Sequence, residues 1–344
     1  MQLYNKLNKK ERLDLINKAG GKRLTLSFYK YHNIKNPNIF RNHLFVEWNK
    51  LNVLGRIYVA HEGINAQLSV HSNKLIEFKK SIDNISFLKG VRLNIAIEHK
   101  NDAFLKLKIK IKEKIVADGL ETNDYNLSIS GRHVDANEFN QLLDDDETIT
   151  IDMRNHYESE IGHFKGAELP DVDSFRESLP LIKKKYENFK KNKNILMYCT
   201  GGIRCEKASA YLIDNGYENV FQLNGGIIEY TRQVNENNIE NKFIGKNFVF
   251  DNRLSERVSG EIISNCHQCG NKSDKHTNCN NEACHLLFIQ CEDCAKKYNG
   301  CCSKKCEEVY LLPIDQQKKL RKGKRNNNKI FKKGRFNKSI LNKI

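Results

Sequence analysis

The stretch from Ile195 to Asn215 limits the fold of this chain more than any other. Four apolar residues, Ile195-Leu196-Met197-Tyr198, run into the loop Cys199-Thr200-Gly201-Gly202-Ile203-Arg204, and a helical pattern follows from Cys205 to Asn215. A strand that passes through a glycine-bearing loop into a helix belongs to an α/β sheet with its chemistry at the strand ends. It aims backbone N–H groups and the positive end of the helix dipole at one spot. A thiol held there loses its proton more readily, and the thiolate is the reactive form. Gly201 and Gly202 let the backbone wrap closely around the sulfur or whatever it carries. The alternative is a buried cysteine packed as a small hydrophobe. The glycine pair, Arg204 and the helix start together favour a catalytic Cys199. Arg204 is expected to hold the loop or an anionic species, so that Arg204→Ala weakens activity with little loss of fold.

Loop length narrows the chemistry. A cysteine phosphatase cradles phosphate with Cys, five residues, then Arg; here Arg204 comes one residue early and Cys205, a resolving or merely packed thiol, follows it. A smaller cradle suits a single transferable sulfur atom, which is the rhodanese pattern. Upstream, Thr148–Asp152 reads as a buried parallel strand. Asp152-Met153-Arg154-Asn155-His156-Tyr157-Glu158 and Gly162-His163-Phe164-Lys165-Gly166-Ala167 resemble the matching rhodanese signature. Asp152, Arg154 and Glu158 are therefore supporting residues, and His156 and His163 are read as rhodanese structure. This resemblance covers about 128–235.

With 344 residues the chain is expected to form two or three domains. Residues 1–122 read as a ferredoxin- or acylphosphatase-like α+β sandwich: strand Leu24–Tyr31, helix Ile39–Leu51, strands Gly55–Ala60 and Ile64–Val70, helix Lys74–Asn84 and strand Val91–Ile97. The alternating run Phe104–Val116 then puts Lys106, Lys108, Lys110, Lys112 and Lys114 on one side of a strand. Two readings fit those lysines: a solvated face or edge guarded against aggregation, and a ladder for phosphates. Residues 123–238 form the rhodanese-like parallel α/β domain, 239–314 a small cysteine-rich module and 315–344 a disordered basic tail.

The cysteine-rich module holds Cys266, Cys269, Cys279, Cys284, Cys291, Cys294, Cys301, Cys302 and Cys306. The pairs Cys266/Cys269 and Cys291/Cys294 have zinc-knuckle spacing. Nine thiols exceed the four that one ion needs, so two structural zinc sites are open, with the remaining cysteines as a common pool. So small a region needs metal to fold well; metal-free thiols, disulfides and an iron–sulfur cluster are the alternatives.

The sequence has no apolar run of about 18 residues and no apolar segment in Met1–Leu7, so neither a membrane span nor a signal peptide is expected. The expectation is a cytoplasmic protein whose eleven cysteines serve metal or catalysis. Of the net charge of +16, residues 316–344 supply +12, through twelve Lys or Arg and no acid. Such a segment seeks polyanions; nucleotide bias in the genome is the alternative, since Lys, Asn and Ile are abundant throughout. No G-x-G-x-x-G fingerprint occurs, so no nucleotide cofactor is recognised.

Together these motifs resemble the rhodanese-domain tRNA uridine hydroxylases over roughly 20–312. The resemblance is carried by Ala60–Ala66, Asp152–Glu158, Gly162–Phe164, Tyr198–Ala208, Phe243–Phe250, Cys266–Cys269, His285–Cys291 and Gly300–Cys302. Family members often carry a further cysteine near the place of Ser273. The resemblance implies oxygen-dependent hydroxylation of the wobble uridine, position 34 of tRNA, to 5-hydroxyuridine. Dioxygen is then the co-substrate, tRNA the partner, and Cys199 the catalytic cysteine. The residues alone allow a plain sulfurtransferase that carries a persulfide on Cys199 and is loaded by a sulfur-donor protein, or an RNA-binding module with a vestigial loop. Oligomeric state is left open.

Overall fold

The computed structural model describes residues 7–121 and 126–323. Helix α1 (Lys9–Ala19) starts at Asn8, whose side chain accepts from the Glu11 N–H while Glu11 answers the Asn8 N–H. Alternation in β1 (Arg23–Tyr31) then decides the first sheet. Leu26 and Phe28 are buried on the face that meets helices, and Thr25, Ser27 and Tyr29 point to the other. Helix α2 (Pro37–Lys50) begins with Asn36 as cap and Pro37 at its first position, and packs Trp48 edge-on against Phe28. Strands β2 (Leu54–Ala60) and β3 (Gly63–His71), helix α3 (Leu75–Asp83) and β4 (Asn94–Ile95) complete the expected β-α-β-β-α-β order. A further strand, β5 (Leu107–Ile111), adds parallel to β2, giving the order β4-β1-β3-β2-β5.

Two expectations about this region are shortened. The last strand of the sandwich is two residues long rather than Val91–Ile97. The lysine strand stops at Ile111, opposite Val59 near the end of its partner β2. Beyond it Lys114 leaves the ladder: its ammonium turns inward to Asp118 Oδ1 at 2.8 Å and the Leu120 carbonyl at 2.6 Å. Lys106, Lys108, Lys110 and Lys112 remain exposed.

The second sheet lies within the run β6 (Arg132–Val134), helix α4 (Ala136–Leu143), β7 (Thr148–Asp152), the short α5 (His156–Ser159), β8 (Gly162–Phe164), α6 (Phe175–Lys185), β9 (Asn194–Tyr198), α7 (Ile203–Asp214), β10 (Val220–Leu223) and α8 (Gly226–Asn237). Its order β6-β10-β9-β7 is parallel throughout, as the sequence requires. Apolar layers cover both faces, one around Met197 and Leu212 and the other around Leu196, Phe139 and Tyr230. Strand β8 stands apart and pairs with β11 (Phe243–Phe248), which also pairs with β12 (Ser255–Arg257). The small sheet thus crosses the expected 238/239 boundary and ties the last module to the second domain.

That module continues through β13 (His276–Asn278), β14 (Leu287–Ile289), α9 (Glu292–Lys297) and α10 (Lys304–Leu311). The first residues of the expected basic tail form helix α11 (Ile314–Arg321), where Arg321 pairs with Glu282; residues 324–344 lie outside the described residues. Among the described residues no helix is long and apolar enough to cross a membrane.

Candidate active site

Cys199 follows β9, an inner strand of the parallel sheet, at its carboxyl end. The loop to Arg204 closes because Gly202 adopts φ +99°, which only glycine takes readily. A Cβ there would also lie 2.7 Å from the Tyr29 hydroxyl. Gly226, at φ +67° where α8 begins, backs so closely on the loop that a Cβ would meet the Cys199 carbonyl oxygen at 2.5 Å. The Gly202 N–H donates to Cys199 Sγ at 3.1 Å, and the N–H groups of Arg204 and Cys205 also bond the sulfur.

Burial works against ionisation of Cys199. The Cys205 thiol's hydrogen bond, the Arg204 charge and the backbone N–H groups outweigh it and bring the pKa down to about 5. Cys205 moves the opposite way, pushed well up by burial and then by its ionised neighbour. The loop therefore favours a thiolate at Cys199 beside a thiol at Cys205, in the first turn of α7.

Arg204 is clamped as well as near the sulfur. Its Nη1 and Nη2 reach Glu158 Oε1 and Oε2 at 2.6 and 2.8 Å, and Nη2 also approaches Thr200 Oγ1 at 3.3 Å. Glu158 is fully buried and Arg204 nearly so. Asp152 and Arg154 form a second buried pair, with Arg154 Nη2 2.6 Å from both Asp152 Oδ2 and the Gly162 carbonyl. Neither lines the cavity at Cys199; they brace the turn from β7 toward β8. His156 pairs with Asp173 and His163 bonds the Ser159 carbonyl, in keeping with structural roles.

Cys199, Thr200, Gly201 and Ile203 open on a cavity of about 300 Å³. All three folded regions line it: the helix-free face of the first sheet, the loop, and the segment from Val249 to Arg253. Tyr29 and Tyr157 supply aromatic wall, with Phe104 and Phe250. The Tyr29 hydroxyl donates to Glu206 Oε1 at 3.1 Å, and Tyr31 donates to the Ile203 carbonyl at 3.1 Å. Burial, then the charges of Glu206 and Cys199, hold Tyr29 protonated.

A buried ionic knot fixes this arrangement. Lys207, with no exposed surface, reaches Glu62 Oε2 at 2.8 Å and Asp118 Oδ2 at 2.7 Å. Glu62 Oε1 also accepts the Ile115 N–H at 2.6 Å. Glu62 and Lys207 come from two of the motifs quoted above, Ala60–Ala66 and Tyr198–Ala208, so their spacing reflects the joint between domains. Sequence reasoning did not single out Tyr29, Asn94 or Glu206. Glu206 lay inside a quoted motif, whereas nothing local marked Tyr29 or Asn94.

The exposed lysines share the cavity's face of the sheet. Register aligns Lys108 with Arg56, Gln67, Ser27 and Asn94 across all five strands, and Lys110 with Tyr58, Asn65 and Tyr29. Lys108, some burial, then Lys112 and Arg56 lower the Lys110 pKa, the mark of crowded positive charge. Lys112 sits 5.8 Å from the Tyr58 ring.

The cysteine-rich module resolves into two sets of four, Cys266/Cys269/Cys291/Cys294 and Cys279/Cys284/Cys302/Cys306, each with its sulfurs within 4.8 Å of one another. The two Cys-x-x-Cys pairs thus meet in one set. Cys301 belongs to neither, contrary to its place in the pool: it is fully buried, with its sulfur 3.8 Å from the Asn299 carbonyl. Ser273 also belongs to neither, its carbonyl accepting from Ser264. Sulfur separations of 3.6 Å for Cys269–Cys291 and Cys302–Cys306 and 3.7 Å for Cys284–Cys302 are far from bonded disulfides.

The chain matches three family descriptions: a UPF0176 acylphosphatase like domain over residues 23–115, a rhodanese-like domain over 135–233 and a rhodanase C-terminal region over 244–307. A protein of Leptospira interrogans called tRNA uridine(34) hydroxylase is 52% identical over 318 residues, 92% of this chain and 86% of its own. One from Photorhabdus laumondii with the same name is 48% identical over 334 residues, 97% of this chain and 95% of its own. A third, from Yersinia enterocolitica, is 49% identical over 97% of this chain and 95% of its own.

Proposed function

The chain belongs to the tRNA uridine(34) hydroxylase family, and from that premise we propose that it hydroxylates uridine 34 of tRNA, with Cys199 as its reactive group. One observation carries the assignment of residues. A cysteine held as thiolate opens on a cavity of about 300 Å³ with aromatic walls, large enough for one base. Uridine 34 lies in the anticodon loop, where a base can leave the stack and stand in such a pocket. The reaction replaces C5–H by C5–OH with one oxygen atom of dioxygen, and the other atom leaves as water with two electrons and two protons from an external reductant.

In this reading each side chain has a defined task. Backbone N–H groups of Gly202, Arg204 and Cys205 stabilise negative charge on Cys199 or on an atom it carries. Glu158 keeps Arg204 in place beside the sulfur. Thr200, Gly201 and Ile203 shape the loop. Asp152 and Arg154 brace the turn from β7 toward β8 that carries Glu158. Exposed Lys106, Lys108, Lys110 and Lys112 guide the phosphates of the anticodon arm toward the cavity on the same face.

Structural zinc in both four-cysteine sets completes the proposal. Zn–S bonds of about 2.3 Å in a tetrahedron give sulfur–sulfur edges of about 3.8 Å, close to the separations found here. Zinc would supply folding energy to the last module, with no part in the reaction at Cys199.

A sulfurtransferase loaded by a sulfur-donor protein is the second reading, favoured by the short Cys-to-Arg loop sized for one sulfur atom. Nucleoside mass spectrometry of tRNA from cells lacking the gene separates the two. Loss of 5-hydroxyuridine derivatives, restored by the wild-type gene and not by Cys199→Ala, supports hydroxylation; loss of a thiouridine supports sulfur transfer.

A further inference from the structure

Asn94 is 4% exposed and lines the Cys199 cavity. Its Nδ2 donates to the Gly201 carbonyl at 3.3 Å, an interaction that also fixes which end of the amide is nitrogen. The oxygen, Oδ1, has no hydrogen-bond partner among the described residues. Thr25 Oγ1, on the same wall, is likewise buried and unpartnered. Buried polar atoms are rarely left unpaired, and two of them on residues that line one cavity point to a ligand that completes them.

The pattern of donor and acceptor is specific. A side-chain amide presents an acceptor and a donor side by side. Asn94 has Oδ1 free and one N–H beyond the one given to Gly201. Uracil offers the complement on its pairing edge: a donor at N3 beside an acceptor at O4. We infer that Asn94 reads the target base, accepting the uracil N3–H at Oδ1 and donating its remaining Nδ2 N–H to O4. The inference rests on the proposed seating of uridine 34 in this cavity and names the residue that selects uracil there.

Tethering by Gly201 makes the reading selective. Cytosine reverses the pattern, with an amino donor at C4 and an acceptor at N3. A free asparagine would rotate to suit either base. With Nδ2 held at the loop, cytosine satisfies the amide only by turning over about its pairing edge, which carries C5 to the far side, away from the position that uracil C5 takes. O4 and C5 are attached to or part of neighbouring ring positions, so holding O4 near Gly201 keeps C5 at the Cys199 loop. Asn94 also ends the row that begins at Lys108 and passes through Arg56, Gln67 and Ser27. Five strands at about 4.8 Å spacing put roughly 19 Å between the basic edge and Asn94. Phosphates at one end and a base edge at the other divide positioning from reading.

The test uses full-length protein and two anticodon stem-loop RNAs that differ only in carrying uridine or cytidine at position 34. Alkylation of Cys199 by iodoacetamide reports occupancy of the cavity without requiring turnover. In the wild-type protein the uridine RNA should half-protect Cys199 at a concentration about tenfold below the cytidine RNA, the discrimination of one good base contact. Asn94→Ala should remove that difference while its RNA-free alkylation rate stays within about twofold of wild type, a selectivity that a purely structural role would leave intact. Equal protection by the two RNAs in wild type, or a tenfold preference surviving in Asn94→Ala, overturns the inference. Absence of protection by either RNA overturns the seating of the base and the inference with it, whereas equal protection leaves the seating standing.

Discussion

Arg204 and Glu158 face each other through two parallel contacts, Nη1–Oε1 at 2.6 Å and Nη2–Oε2 at 2.8 Å, and both are buried. This paired geometry changes what Arg204→Ala is expected to do. A loop arginine aimed only at a substrate could be removed with little cost to the fold. Removing this one strands the Glu158 carboxylate without its partner. Breaking a buried pair from one side costs about 3–5 kcal/mol, so Arg204→Ala should lower the urea midpoint clearly as well as weaken activity. An unchanged midpoint would show that Glu158 is relieved by other means.

Cys199 chemistry should follow pH with a low midpoint. With its pKa near 5, the group is a thiolate at neutral pH and regains its proton as pH falls through about 5. The iodoacetamide rate at Cys199 should therefore be flat from about pH 7 upward and halve near pH 5. Cys205→Ala removes one hydrogen bond to the thiolate and should move the midpoint up. A profile centred near pH 8.5, the ordinary cysteine value, would contradict the electrostatic account of the loop.

Metal analysis of freshly reduced protein should find two zinc ions per chain. Cys266→Ser should lose about one of them and lower the thermal stability of the last module, and Cys284→Ser should do the same for the other set. Cys301→Ser should keep both, since Cys301 lies outside each set. Retention of both ions in Cys284→Ser, or loss of one in Cys301→Ser, would reassign the ligands.

Local patterns carried most of the fold. The period-two alternation of β1 to β3 and the apolar run before Cys199 correspond to the strands found, and the glycine pair marked the loop, with Gly202 as the member whose φ requires glycine. What stayed hidden depended on contacts far apart in sequence. Asn94 reaches the loop only because β4 pairs with β1, through Ser27. Tyr29 meets Glu206, 177 positions away, across a domain joint. Lys114 follows the same alternation as Lys108, and only the placement of Asp118 turns it inward. Spacing marked two Cys-x-x-Cys pairs but could not choose between Cys301 and Cys302, which adjoin in sequence and differ in where their sulfurs point.

Charge on the cavity's face of the first sheet should govern RNA affinity. Replacing Lys108 and Lys110 together by Ala should weaken tRNA binding and reduce the salt slope by about one per lost phosphate contact. The choice of modified nucleotide should be unaffected, because phosphate contacts carry no base information. Removing the basic residues after Gly323 should likewise weaken binding, and cutting there preserves the Arg321–Glu282 pair and α11. Superimposable salt titrations for the double variant and wild type would exclude this edge from the RNA path.

The central claim is that this chain hydroxylates uridine 34 through Cys199. Purified wild-type and Cys199→Ala proteins should be incubated with tRNA from cells lacking the gene, a two-electron reductant and isotopically heavy dioxygen, and position 34 read by mass spectrometry. The account predicts 5-hydroxyuridine carrying heavy oxygen with the wild-type protein, and none with Cys199→Ala at equal folded concentration. Heavy 5-hydroxyuridine formed equally by Cys199→Ala, or a wild-type product that is thiolated rather than hydroxylated, would contradict it.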